Sequence, residues 1–190
     1  MHKRFVTSAI AILAIGLIAI PASADAHGVH VRKVRLQDNC DPATFNAAFG
    51  DGICVPHGNR RTTTLPEFLA KLNPEDGGHE KWNNHPDELD LKMGDQISVT
   101  VRGGEFHTFT EVPAFGPGCV GLINDRLGLT VGVPTEAQCG EFFATTGVLP
   151  NGLSTLTVSG LTAGTHLFMC EIHPWMQTTV TVESDNEDDD

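Results

Sequence analysis

The sequence is poor in positive charge. Twelve Lys and Arg stand against 24 Asp and Glu in 190 residues, a formal net charge of -12. Nucleic-acid binding needs clustered Lys and Arg to neutralise phosphates, so that class of partner is excluded. Long apolar runs are also lacking: the one candidate, Phe5 to Ile20, falls short of the roughly 20 residues of a spanning helix. It follows a basic start, Met1-His2-Lys3-Arg4, and precedes Pro21-Ala22-Ser23-Ala24, small residues in an A-x-A pattern. That order reads as a secretory signal peptide over residues 1–24 rather than a membrane anchor. With no Cys after the run and no twin arginine before it, neither a lipid anchor nor export of a folded, metal-loaded chain is expected. The expected location is periplasmic or secreted, with no membrane span after cleavage. There is no internal repeat, no Ser-His-Asp arrangement and no catalytic carboxylate pair.

Cleavage after Ala24 removes Lys3 and Arg4 and no acid, which makes the formal charge of -12 more negative by two. Much of this acidity is terminal: Glu183, Asp185, Glu187, Asp188, Asp189 and Asp190 crowd the last eight residues. Such a block repels itself, and residues 184–190 read as an acidic disordered tail. A basic redox partner would suit the charge. At the other end, Asp25-Ala26-His27 offers a terminal amine and imidazole for Cu(II) if cleavage follows Ala24, or a terminal His27 if it follows Ala26.

The cysteines number five, Cys40, Cys54, Cys119, Cys139 and Cys170, and in an oxidising compartment an odd count leaves one over. Proximity suggests Cys40 with Cys54 and Cys119 with Cys139, although four cysteines allow three connectivities. Cys170 then remains, a thiol that needs a reason to stay unpaired.

Along the chain, His27 to Leu36 alternates in part and reads as an edge strand or a loose arm. Asp41-Pro42 starts a short helix that Gly50 stops. Thr64-Leu65-Pro66-Glu67 is a capping box before Phe68 to Leu72, and Asn73-Pro74 ends that helix. From Trp82 the texture is β. Leu89-Asp90-Leu91 leads into a turn at Gly94-Asp95, and Ile97 to Val101 is a strand with one apolar face. Gly103-Gly104 breaks it and Phe106 to Thr110 resumes it. Pro113 to Gly152 is a structured insertion, too long for a plain connection. Leu153 to Val158, Thr165 to Cys170 and Gln177 to Val182 are further strands. Short strands between Gly and Pro turns suggest an antiparallel sandwich.

The chemistry concentrates in Phe168-Met169-Cys170-Glu171-Ile172-His173-Pro174-Trp175-Met176. A thiolate, an imidazole and a thioether lie within seven residues, on the turn between two strands. Two His, one Cys and a weak axial Met form the donor set of a blue-copper centre. The second His must come from elsewhere, and His107, just past the glycine break at an expected sheet end, qualifies. Soft sulfur suits Cu(I), while imidazole suits both oxidation states. Zinc is the rival ion, and a Met in its fourth place argues against it. His166 shares a face with Phe168 and Cys170 and reads as a buried, hydrogen-bonded residue. His57, His79 and His85 read as surface loop residues.

Trp82 to Glu183 resembles the cupredoxins, with an amicyanin/plastocyanin-like ligand loop in which Pro follows the His. Gly164 to Cys170 is similar to the family's last strand before that loop, and Leu89 to Asp95 to the segment leading toward its first His. The resemblance implies an all-β, antiparallel Greek-key β-sandwich (cupredoxin-like) with a small helical N-terminal extension. Residues 25–81 would be the extension and residues 82–183 the cupredoxin domain. It implies one type 1 copper ion held by His107, Cys170, His173 and Met176, with His173 nearest solvent inside an apolar patch of Pro174 and Trp175. It differs from the small family members in the 62 residues between His107 and Cys170, in His166 where an aromatic is usual, and in residues 25–81. The implied function is single-electron transfer with protein redox partners, the alternative being copper binding for handling. An enzyme is not expected, because a reactive copper needs further His ligands and an open position.

Overall fold

The computed structural model describes residues 28–58 and 61–184. The expected signal peptide, Asp25-Ala26-His27 and nearly all of the expected acidic tail lie outside the described residues. Among the described residues, no helix is long and apolar enough to cross a membrane.

Among the described residues, ten strands and four α-helices follow in order: β1 (Val31–Gln37), α1 (Pro42–Phe49), α2 (Leu65–Ala70), β2 (Asn83–His85), β3 (Glu88–Lys92), β4 (Gln96–Arg102), β5 (His107–Thr108), β6 (Thr110–Val112), α3 (Gly121–Leu127), α4 (Glu136–Thr146), β7 (Gly147–Val148), β8 (Leu156–Val158), β9 (Gly164–Met169) and β10 (Gln177–Glu183). One four-stranded sheet runs β2-β1-β4-β8, a second runs β3-β10-β9-β6, and β5 pairs with β7. Alternation decides which faces meet. Val34 and Leu36 of β1 with Ile97, Val99 and Val101 of β4 turn inward from the first sheet. Leu89, Leu91, Phe168, Val180 and Val182 turn inward from the second, and all join one buried core.

Two expectations change. The sheets are not purely antiparallel: β1 pairs with β4, and β3 with β10, in parallel. Parallel neighbours need a long crossover, and the chain between β1 and β4 supplies one, carrying α1, α2, β2 and β3. The second change concerns residues 31–37, which are neither an edge strand nor an arm. All seven residues of β1 register against β4, from Val31↔Gln96 to Gln37↔Arg102, while Leu36 also faces Asn84 of β2. A domain boundary at residue 82 would therefore cut through the first sheet.

The helices obey their local signals. Asp41 accepts the Thr44 N–H at 2.9 Å, Pro42 opens α1, and Gly50 closes it at φ 107°. Glu67 accepts the Thr64 N–H at 2.9 Å to start α2. Two disulfides, Cys40–Cys54 and Cys119–Cys139, match the expected neighbours, and Cys170 is free and buried. The first ties the chain just before α1 to the loop after it; the second ties α4 to the loop before α3, which gives the expected insertion its structure.

Candidate metal centre

Cys170, His173 and Met176 occupy the β9–β10 turn. Beyond the last strand pair, Met169↔Gln177, the turn closes on its own backbone. The Cys170 N–H donates to Met176 O at 3.0 Å, and the Met176 N–H donates to His173 O at 2.9 Å. The Glu171 N–H donates to Thr108 Oγ1 at 2.8 Å and anchors the turn to β5. His107 begins β5, opposite Val148, and so enters from a different part of the chain.

The two imidazoles meet the thiol. His107 Nδ1 lies 3.6 Å, and His173 Nδ1 4.0 Å, from Cys170 Sγ. Nitrogen and sulfur ligands of a first-row ion lie roughly 2.0–2.3 Å from it, so two of them on one ion stand at most about 4.4 Å apart. Both separations fall inside that limit, and the three residues are buried together. Met176, at the loop's last position, is also fully buried. Two imidazoles, a thiol and a buried thioether are a donor set suited to copper.

The outer nitrogens face carboxylates. His107 Nε2–H donates to Asp38 Oδ2 at 2.9 Å, inside the core. His173 Nε2 stands 3.9 Å from Glu105 Oε2, and Glu105 accepts the Trp82 indole N–H. A carboxylate behind a ligating imidazole fixes which nitrogen is free for the metal and orients the ring. Asp38 is itself held by the backbone, accepting the Gly104 N–H at 2.8 Å and the Glu105 N–H at 3.2 Å. This explains the glycine break: a Cβ at Gly103 would overlap the Asp38 carboxylate, and one at Gly104 would meet the chain at Val55.

These contacts set the charges of the metal-free protein. Burial alone pushes the Cys170 thiol up, but His107 and then His173 beside it reverse this and hold it well below the ordinary thiol value. Burial likewise pushes His107 down, and Asp38 and Cys170 outweigh it, raising the imidazole to about 10. These contacts favour the thiolate of Cys170 and the protonated ring of His107, so a metal that binds there competes with protons. Burial raises Glu105, against the opposing pull of His173.

The expected open face is covered. His173 is 2% exposed and Pro174 is buried, while Trp175 is half-buried. Three rings wall the imidazole: Phe68 edge-on at 5.9 Å, Trp82 at 6.4 Å and Trp175 at 5.4 Å. The Trp175 indole N–H donates to Trp82 O at 3.0 Å, and Gly78 lies so close to the indole that a Cβ there would overlap it. Phe68 of α2 comes from residues 25–81, the expected N-terminal extension, and Trp82 and Trp175 from the expected domain. His79 also belongs to that extension: it is buried, 5.0 Å from Trp82 and stacked on Phe68, and burial lowers its pKa. The expectation of a surface His79 is corrected; His57 is half-buried and His85 is exposed. His166 is half-buried rather than buried, its two nitrogens engaged by Glu111 at 2.6 Å and Thr162 O at 2.8 Å.

Sequence reasoning did not find Asp38, Glu105, Phe68, Trp82 or His79 as parts of this site. Glu105 had a faint signal, two residues before His107. Asp38 had none, because the β1–β4 register alone carries it beside Gly103.

No family model matches the chain, and no curated protein matches it. Similar solved structures include oxidised plastocyanin from Dryopteris crassirhizoma, 16% identical at a TM-score of 0.38, covering 80% of this chain and 99% of that one. A purple cupredoxin from Nitrosopumilus maritimus is 12% identical at a TM-score of 0.39, again covering 80% and 99%. A reduced amicyanin variant is 21% identical at a TM-score of 0.31, covering 51% and 70%.

Proposed function

We propose that this chain is an exported type 1 copper protein that carries single electrons through a mononuclear centre held by His107, Cys170, His173 and Met176. One observation carries the reading: both imidazole Nδ1 atoms converge on Cys170 Sγ, at 3.6 and 4.0 Å, in a buried pocket. Bound there, copper would supply a one-electron couple between Cu(I) and Cu(II). The chain does the rest. Cys170 is held as a thiolate by its neighbours, Asp38 holds the His107 ring, and the closed loop holds His173 and Met176. Thr108 adds an N–H to Cys170 Sγ at 3.5 Å, which steadies the thiolate. Buried, hydrogen-bonded donors resist rearrangement, so little reorganisation accompanies the electron.

The donors are closed to solvent, which favours outer-sphere electron exchange over an enzyme that binds substrate at the metal. The same closure weighs against rapid handover of copper as cargo. The signal-like residues 1–24 and two disulfides support periplasmic or secreted residence, where oxidised cysteines persist. Protein redox partners are the expected counterparts.

The test is a visible spectrum of copper-loaded protein through a cycle of reduction and reoxidation. The oxidised form should show an intense band from charge transfer between the Cys170 thiolate and Cu(II), bleach on reduction, and recover. Cys170→Ser should abolish the band. A band that survives this substitution, or copper that cannot be cycled, would sink the proposal.

A further inference from the structure

Four of the chain's 12 Lys and Arg line one cleft of about 660 Å³: Arg35, Arg61, Lys81 and Arg102. It opens on the outer face of the first sheet, at the metal end. Alternation puts it there: Val34 and Leu36 point inward, so Arg35 and Gln37 point out, and Arg102 follows the inward Val101. The register Gln37↔Arg102 sets these residues side by side, and β4 then runs directly on to Gly103 and Glu105. Asp38 lies in the cleft wall, but its carboxylate is taken up by Gly104, Glu105 and His107. The other acid, Glu80, stands 3.3 Å from His79. Arg61 pairs only loosely with Glu67, at 3.7 Å with its side chain 89% exposed. Among the described residues, neither Arg35 nor Arg102 has a carboxylate partner. The cleft is therefore a local surplus of cation on a chain of net charge -12.

We propose that a redox partner docks here through an acidic segment, and that the electron crosses by Asp38 and His107 rather than by His173. The inference rests on the copper reading above. Its geometry is independent of that reading: from the cleft wall to a metal donor there is one hydrogen bond, Asp38 to His107 at 2.9 Å. His173 is screened by Phe68, Trp82 and Trp175. The charge pattern supplies orientation. An acidic partner is repelled by most of this surface and attracted at one cleft, which steers encounter and fixes the docked pose.

The experiment follows oxidation of the reduced, copper-loaded protein by hexacyanoferrate(III), in which one electron passes to give hexacyanoferrate(II). Two double variants carry the same change in net charge. Arg35→Gln with Arg102→Gln alters the cleft. Arg32→Gln with Lys92→Gln alters the far end of the sandwich, where Lys92 pairs with Glu183. The cleft pair should slow the reaction about tenfold at low salt, with an unchanged visible band, and the gap should close at high salt. The far pair should have little effect. Oxidation by the cation tris(phenanthroline)cobalt(III) should not slow in the cleft pair. Poly-L-glutamate should inhibit the hexacyanoferrate reaction of the parent protein and lose that effect in the cleft pair. Equal slowing by both pairs would mean net charge alone and overturn the proposal. So would poly-L-glutamate inhibition that ignores the cleft, or slowing by Trp175→Leu where the cleft pair has none. An intact copper–thiolate band with any of these results overturns this proposal alone; a copper-loaded protein without that band overturns the metal reading and this proposal with it.

Discussion

Met176 and Asp38 would serve the proposed centre in different ways, one as a ligand and one behind a ligand, so their substitutions should differ in kind. The thioether contact of a blue-copper centre is long and weak, yet it tunes the balance of oxidation states. Met176→Leu should therefore keep copper and raise the reduction potential, since Cu(II) loses a donor; voltammetry with metal analysis reads both. Loss of all copper in that variant would remove Met176 from the axial role. Asp38 touches no metal but sets the His107 ring. Asp38→Asn keeps the shape and removes the charge that favours Nε2–H, and such outer partners are worth roughly 10- to 100-fold in metal affinity. Copper affinity by competition titration should fall within that range while the thiolate band persists. An unchanged affinity would show that ring orientation comes from packing alone.

At the scale of elements, α2 and the loop to Trp82 make a lid of rings over His173. Phe68 is its centre, 4.7 Å from Trp82, 5.5 Å from Phe45 and 6.0 Å from Trp175. Its removal leaves a cavity among large rings, and Phe→Ala in a core costs about 3–5 kcal/mol. Phe68→Ala should lower stability by that order in denaturant titration. It should also open the metal: azide should perturb the visible spectrum of the copper-loaded variant and leave that of the parent protein unchanged. A parent protein whose band already responds to azide would mean that the wall does not close the site. The helix itself was legible from Thr64 and Glu67, a strictly local signal. What it covers was not, because no spacing within residues 64–82 refers to residue 173.

For the whole molecule, cysteine counting and the fold make one joint prediction. Denatured and stripped of metal without reductant, each chain should titrate one thiol. Peptide mass mapping should link Cys40 to Cys54 and Cys119 to Cys139. Three or five thiols would remove one or both bridges, and a bridge through Cys170 in metal-loaded protein would overturn the site, since a disulfide sulfur is no thiolate ligand. The bridges were legible because both join cysteines close in sequence, whose loops close at small entropic cost. The β-texture after Trp82 was legible for a similar reason, as period-two alternation is a local property. The inner place of the first strand was not, since Val31 to Gln37, read as an edge strand or an arm, carries only two buried apolar residues and three charges.

By itself, the sequence determined the donor types and most of their arrangement. Cys170, His173 and Met176 share one short turn, and a turn of that length cannot help but bring them together. It also determined the helix caps and the surplus of acid. Tertiary structure alone decided what surrounds those donors. The parallel register of β1 on β4 sets Asp38 behind His107, and a slip of one residue would turn Asp38 to the other face. The crossover between those strands lays Phe68 and Trp82 over His173 and leaves Arg35, Arg61, Lys81 and Arg102 around one cleft. Asp38 and His107 lie 69 residues apart in the chain, and Phe68 and His173 lie 105 apart. Their meeting is settled by strand pairing and by which faces must be buried, which are properties of the assembled sheets and of no single segment.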